Sequence, residues 1–502
     1  DANGYLASVT NPAGEAVQLT HTADGLLTQL RDARQNLHTF TYDAAGRLIR
    51  DADPVGGWLE LASNSITTTV TTALGRVTEY GSISTSTGER RSVRQPDQTI
   101  SAQESRADGT RRAQSADGSV VTTTLGPDPR WGMLTPINTL LTTTLPGGLS
   151  MRTQVTRSVW LTTTGNLFSV NAITESISVN ARTTLRSYNV PQRTLTTKTA
   201  AGRSITVTFD AQDRVTSLRR GDLAPVFFGY DATGLISGTQ GAGAEARTLH
   251  FVYDSAGNLS GVIDPLGRAI GFGYDAAGRV ITHTLPDGEA IHYAYNANGQ
   301  LSSITPPDRP AHTFEYTAID QMAHITAPDV TAGNDQTQLT YNVDRQLTGI
   351  QRPDGQAIAL NYDAAGRLIN TVLPNAAITY THSANGAVVQ LDRASGANVS
   401  RAYSGWLLTG ETWSGPVAGT VTRTVNADLN VAAIGVNGAA PITYQYDADN
   451  LLTRAGALTV TRSAQNGLIT GSALGGVSEA WQYNAFAEPV SYTARYTATP
   501  VL

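Results

Sequence analysis

Tyr253-Asp254-Ser255-Ala256-Gly257-Asn258-Leu259 is followed by Tyr274-Asp275-Ala276-Ala277-Gly278-Arg279-Val280 and by Tyr295-Asn296-Ala297-Asn298-Gly299-Gln300-Leu301. Tyr253, Tyr274, Tyr295 and Tyr316 are spaced 21 apart. Two residues before them stand Phe251, Phe272, Tyr293 and Phe314, and a spacing of two puts both rings on one face of a strand. The Asp or Asn caps a turn with its side chain, the Gly takes a left-handed backbone conformation, and the chain returns on Leu or Val. Each copy therefore reads as a β-hairpin with a short loop.

The motif spreads outward from there. Clear copies are Tyr42-Asp43-Ala44-Ala45-Gly46, Tyr230-Asp231-Ala232-Thr233-Gly234 and Tyr362-Asp363-Ala364-Ala365-Gly366, and weaker ones start at Phe209, Tyr341, Tyr446 and Tyr483. A second turn lies between successive copies, as in Asn11-Pro12-Ala13-Gly14, Asp264-Pro265-Leu266-Gly267, Pro286-Asp287-Gly288 and Pro353-Asp354-Gly355. From Gly257 through Gly267, Gly278, Gly288 and Gly299 the steps alternate 10 and 11, so each repeat is two short strands and two tight turns. Gln35 fills a glycine slot and predicts a different turn or a local distortion there. Between residues 60 and 205 the Tyr motif is lost, but three Thr triplets beginning at Thr122, Thr142 and Thr162 keep a beat of 20. Thr suits strands and pairs across them. Residues 395–440 are Gly- and Ala-rich and predict a longer loop or an insertion.

One strand per repeat half predicts about 48 strands. At about 4.8 Å between strands the sheet would run on the order of 230 Å. Twisted sheets rarely stay open beyond about ten strands, so such a strip must wind up around a space its own side chains do not fill. The fold class expected is all-β: a long spiralling antiparallel sheet of hairpins forming part of a hollow shell. A four-stranded propeller blade needs about 40–45 residues and fits the beat less well.

The units resemble YD repeats, as found in bacterial RHS proteins, the C subunits of Tc toxin complexes, wall-associated bacterial toxins and animal teneurins. On that resemblance residues 1–60 are YD repeats, 61–204 Thr-rich divergent repeats of the same sheet, 205–394 YD repeats, 395–440 an irregular segment, and 441–502 truncated YD repeats. The repeat residues so marked are Tyr42, Asp43, Gly46, Tyr230, Asp231, Gly234, Tyr253, Asp254, Gly257, Tyr274, Asp275, Gly278, Tyr295, Gly299, Tyr362, Asp363 and Gly366. The resemblance implies a secreted or cell-surface protein of bacterial type. Its shell would enclose a C-terminal toxin domain or, alternatively, act as an adhesin-like module for glycan or protein partners. Starting at Asp1 without Met, the chain reads as a cut from a longer polypeptide, its own downstream domain being the expected cargo. Toxin-type members close the shell with a cap carrying an Asp-Pro-x-x-Gly-like self-cleavage signature; Asp264-Pro265-Leu266-Gly267 looks similar but lies mid-chain in register with the second turns, which makes it a turn.

Chemistry is hard to assemble from this chain. The 502 residues carry a net charge of −6, which gives no basic face for nucleic acid. There is no cysteine, and no apolar run reaches the length of a membrane span. His21, His38, His250, His283, His292, His312, His324 and His382 form no helical metal pair. Lys198, the single lysine, has no phosphate-loop neighbours. Asp51-x-Asp53 and Asp447-x-Asp449 are too short for calcium loops. Arg90, Arg91, Arg94, Arg106, Arg111 and Arg112 are interleaved with Glu89, Asp97, Glu104 and Asp108, as on a solvated strand surface. Trp406 and Trp413 read as packing residues. No catalytic residue, cofactor or metal is expected, and the protein is read as a structural module rather than an enzyme.

Overall fold

The computed structural model describes residues 1–232, 234–328, 335–497 and 499–500. Thr233, inside one quoted copy of the motif, lies outside the described residues. Those residues form 46 strands and one short 3-10 turn, Gly243–Glu245. The expectation of an all-β, antiparallel chain of hairpins holds. Ala269–Tyr274 pairs antiparallel with Val280–Thr284, which pairs with Ala290–Tyr295, which pairs with Leu301–Thr305. Each inner strand of this run is thus both the return of one hairpin and the start of the next.

The register repeats as faithfully as the sequence. In Ala269–Tyr274 the pairs Gly271↔Thr284, Phe272↔His283 and Gly273↔Thr282 are followed by a shift, after which Tyr274 faces Val280. The same irregularity precedes Tyr42, Tyr230, Tyr295, Tyr316 and Tyr362. A bulge at one fixed position per repeat adds twist and bend at that position each time. The extra residue, such as Ile281, lies on the return strand, so the tyrosine strand alternates regularly and keeps both rings on one face, as the burial of Ala290–Tyr295 and His312–Tyr316 shows.

Gly257, Gly278, Gly299 and Gly366 have φ between +78° and +87°. Gln35 takes φ +71° in the same slot. The turn there is the ordinary one, closed by Gln35 N–H on the Asp32 carbonyl at 3.0 Å, and not the distortion the missing glycine predicts. An L-residue in this region is strained by about 1–2 kcal/mol. Gln35→Gly is therefore expected to raise stability by about 0.5–1 kcal/mol after the extra chain entropy of glycine is counted. An unchanged or lowered urea midpoint would contradict this.

The Thr-rich stretch is built from longer strands: Gly132–Thr144, Ser150–Leu161 and Val170–Val179 have 13, 12 and 10 residues. Residues 395–440 correct the sequence reading. They hold the strands Asn398–Ser404, Leu407–Ser414, Gly419–Val425 and Val431–Val436 with short turns, so there is no long loop. Their glycines sit either in turns, such as Gly405 and Gly438 with positive φ, or inside strands, such as Gly410 and Gly435. Composition alone does not separate these two uses.

Two compact units emerge. One comprises residues 1–85, 90–102 and 251–398, the other residues 86–89, 103–250 and 399–502. Leu145 is the one apolar side chain fully buried among the described residues. The tyrosines and their aromatic partners are half-buried, not the closed core that large-to-small losses of 3–5 kcal/mol presuppose.

Candidate functional site

The recurring site is the turn. Asp275 follows the strand Ala269–Tyr274, and its Oδ1 accepts the backbone N–H groups of Ala277 and Arg279, each at 2.9 Å. The Arg279 Nε then donates to Oδ2 at 2.7 Å. Asp43, with Ala45 and Arg47, and Asp264, with Leu266 and Arg268, repeat this arrangement. Asp264 is thus a turn cap in the pattern of its neighbours. Asp363 holds Arg367 in the same way, Asp254 holds Asn258, and Asp231 accepts the Gly234 N–H.

The residue four positions on often matches the cap. Several Asp caps face a donor there, such as Arg279 for Asp275 and Asn258 for Asp254, although Asp53 and Asp447 face Gly57 and Leu451. Where the cap is Asn, the partner accepts, as in Asn11 with Glu15, Asn296 with Gln300 and Asn484 with Glu488. These contacts fix the charge state of the caps. Burial opposes ionisation of Asp275, but the Arg279 backbone N–H and guanidinium outweigh it and hold the carboxyl below its usual range. The Arg47 backbone N–H and guanidinium do the same for Asp43.

The tyrosines do something the sequence reading does not contain. The Tyr274 hydroxyl donates to the Leu259 carbonyl at 2.7 Å, Tyr295 to Val280 at 2.8 Å and Tyr316 to Leu301 at 2.9 Å. Tyr42, Tyr230, Tyr362 and Tyr446 make the same bond to the carbonyl 15 residues earlier. The acceptor is the residue that opens the return strand of the preceding hairpin, six positions after the previous tyrosine. A 21-residue period minus six gives 15, so the spacing itself carries the signal. Each tyrosine clips its hairpin to the one before. Burial pushes the Tyr295, Tyr341 and Tyr446 phenols above their ordinary value, which keeps them protonated and donating. Tyr274→Phe is expected to cost about 1 kcal/mol, the worth of one hydrogen bond. A urea midpoint equal to that of the parent would remove the clip from the account.

His382 occupies a tyrosine slot that the sequence reading missed, its Nε2 2.9 Å from the Leu368 carbonyl. The clue is His382-Ser383-Ala384-Asn385-Gly386, 20 residues after the Tyr362 motif. His283 stacks on Phe272 with centroids 5.0 Å apart, and His292 and His312 lie in strands. Trp413 lies in a strand, and Trp406 is half-exposed in the turn before it. Among the described residues no group of three or more acidic or histidine side chains could hold a metal, and no helix is long and apolar enough to cross a membrane.

Turns also bond to turns far away in sequence within each unit. In the first, Arg279 reaches from its own Asp275 to grip Glu15 through both terminal nitrogens at 3.0 and 2.9 Å. Asn298 donates to Asp32 and Asp320, and Arg34 donates to the Tyr316 and Thr317 carbonyls. Arg76 and Thr72 donate to Asp344, whose side chain is 4% exposed. In the second, Arg203 is held between Asp447 and Asp449 at 2.7 and 2.6 Å. There Arg247 pairs with Glu488 and lowers its carboxyl to about 2. Many of these partners, Asn298, Asp344 and Asp449 among them, stand where the plain motif has its second alanine. That departure from Ala is the readable trace of the cross-turn contacts.

Asp-capped turns, a bulge before each clip and a tyrosine clip at every 21st residue in the regular stretch define a tyrosine–aspartate repeat sheet. The chain belongs to the Teneurin YD-shell family, whose profile matches residues 1–502. Comparison with curated proteins finds no match. Among solved structures it is similar to the crystal structure of TcdB2-TccC3-TEV, with 12% identity, 98% of this chain and 35% of that one covered, and TM-score 0.47. The Photorhabdus luminescens Tc holotoxin pore gives 13% identity, 99% and 34% coverage and TM-score 0.41. TcdB2-TccC3 without its hypervariable C-terminal region gives 12%, 98% and 34%, and 0.43. The chain spans about a third of the length of these structures.

Proposed function

We propose that this sheet is a passive wall that encloses a toxin domain downstream in its own longer, secreted or surface-displayed chain, and that it performs no chemistry itself. One observation carries the reading: 46 strands with a single fully buried apolar side chain among the described residues. A sheet of this extent that buries so little against itself leaves one half-buried face for something else. The charged groups support it. Turn carboxylates such as Asp275 are engaged by backbone N–H groups and guanidiniums.

The test is proteolysis of the chain with its natural downstream segment attached. The segment should resist protease while the sheet is folded and become sensitive when the sheet is unfolded by urea. Equal sensitivity before and after unfolding would defeat enclosure. Strong glycan or protein binding by residues 1–502, with the downstream segment unprotected, would instead establish the adhesin-like reading. Hydrolase activity lost on replacing a single Asp or His would overturn the passive role.

A further inference from the structure

The long strands of the second unit overhang the repeat. Gly132–Thr144 and Ser150–Leu161 exceed the strands of the Tyr-Asp repeats by about six residues, or about 20 Å. The ends of these strands and the turn after Leu161 carry large apolar groups on one side: Leu134 is 88% exposed, Phe168 83%, Trp160 72% and Met133 57%. The two segments meet at Trp131 and Phe168, whose rings stand edge to face at 5.3 Å. Exposed apolar clusters of this kind mark docking sites.

Two observations choose the occupant. The segments 129–137 and 160–169 contain no Asp or Glu in a chain that carries 41 of them, and their one charge is Arg130, whose guanidinium lies 5.7 Å from the Trp131 ring. The nearest carboxylate, Asp128, is turned inward onto Arg157. Part of the backbone of the tip is also satisfied internally. Asp128 Oδ1 accepts the N–H groups of Arg130 and Trp131, and Asn166 Oδ1 accepts that of Phe168. Leu134, Thr162, Asn166 and Ser169 N–H groups close on carbonyls within the same two turns, and that of Thr163 on the Ser169 hydroxyl. Aromatic and aliphatic side chains, one cation and no anion suit the headgroup region of an anionic bilayer.

We propose that this tip is a membrane-docking site that enters the interface of an anionic lipid bilayer. The site is independent of enclosure and would stand if that reading fell. The test is sedimentation of the intact chain with phosphatidylcholine vesicles, with and without a fifth of phosphatidylserine. The protein should sediment with the anionic vesicles, and brominated lipid should quench its tryptophan fluorescence. Combining Leu134→Ser, Trp160→Ser and Phe168→Ser should weaken binding by more than about tenfold with the thermal midpoint unchanged, because these side chains are solvent-exposed. Arg130→Gln should narrow the preference for phosphatidylserine. A parent protein that stays in the supernatant unquenched would overturn the proposal. So would equal binding by the triple variant, or a self-association that the triple variant abolishes while vesicles are ignored.

Discussion

Arg203→Ala is expected to destabilise the second unit by about 3–5 kcal/mol at neutral pH, the cost of leaving buried charges unpaired. Arg203 is 12% exposed and its partners Asp447 and Asp449 are 18% and 13% exposed, so solvent screens them poorly. The loss should depend on pH in a defined direction. Burial alone raises the Asp447 carboxyl, but Arg203 and the backbone N–H groups of Leu451 and Asp449 outweigh it and lower the pKa. A carboxyl lowered in the folded state stabilises fully above its ordinary value of about 4 and loses that contribution as pH falls through the folded value. In the variant the counter-charge is gone and burial favours the protonated form. The gap between parent and variant should therefore be widest near neutrality and close below about pH 4. A gap independent of pH would show that the guanidinium acts by packing alone.

Leu145→Ala carries the second large effect, about 3 kcal/mol. Leu145 is 2% exposed, beside the buried Ser119, and a methyl group added at Gly405 would come within 3.2 Å of it. In a sheet with so few closed contacts its neighbours have little else to collapse onto. Leu145→Met should recover most of the loss by conserving volume. A urea midpoint for Leu145→Ala within about 0.5 kcal/mol of the parent would mean the site relaxes freely.

The hairpins were legible because their determinants are local: a ring pair two residues apart, a capping side chain and a left-handed slot all fall within ten residues. Gln35 shows the limit of reading by residue type, since the hairpin register imposes a conformation that glycine would merely ease. Leu145 stands in Leu145-Pro146-Gly147-Gly148, a turn by every sequence rule, and nothing in that run says it is the most enclosed apolar group. Residues 395–440 misled because small residues serve strands and loops alike. The tyrosine hydroxyl's partner was implicit in the period, but a period gives distances along the chain and not which carbonyl is left open. Arg279 with Glu15 and Arg203 with Asp449 join positions 264 and 246 apart, and a single sequence offers no trace of such pairs beyond a polar residue where alanine is usual.

That separation has a consequence during synthesis. At about 5–20 residues per second, the 264 residues between Glu15 and Arg279 take roughly 13–50 s to emerge. Hairpins form in microseconds, so the early strip is complete long before its distant turns exist. For that interval Glu15 lacks its Arg279 partner, while a cap such as Asp43 already holds the arginine of its own turn. Closure of the cross-turn contacts is thus a late step, separated in time from the formation of the hairpins they join.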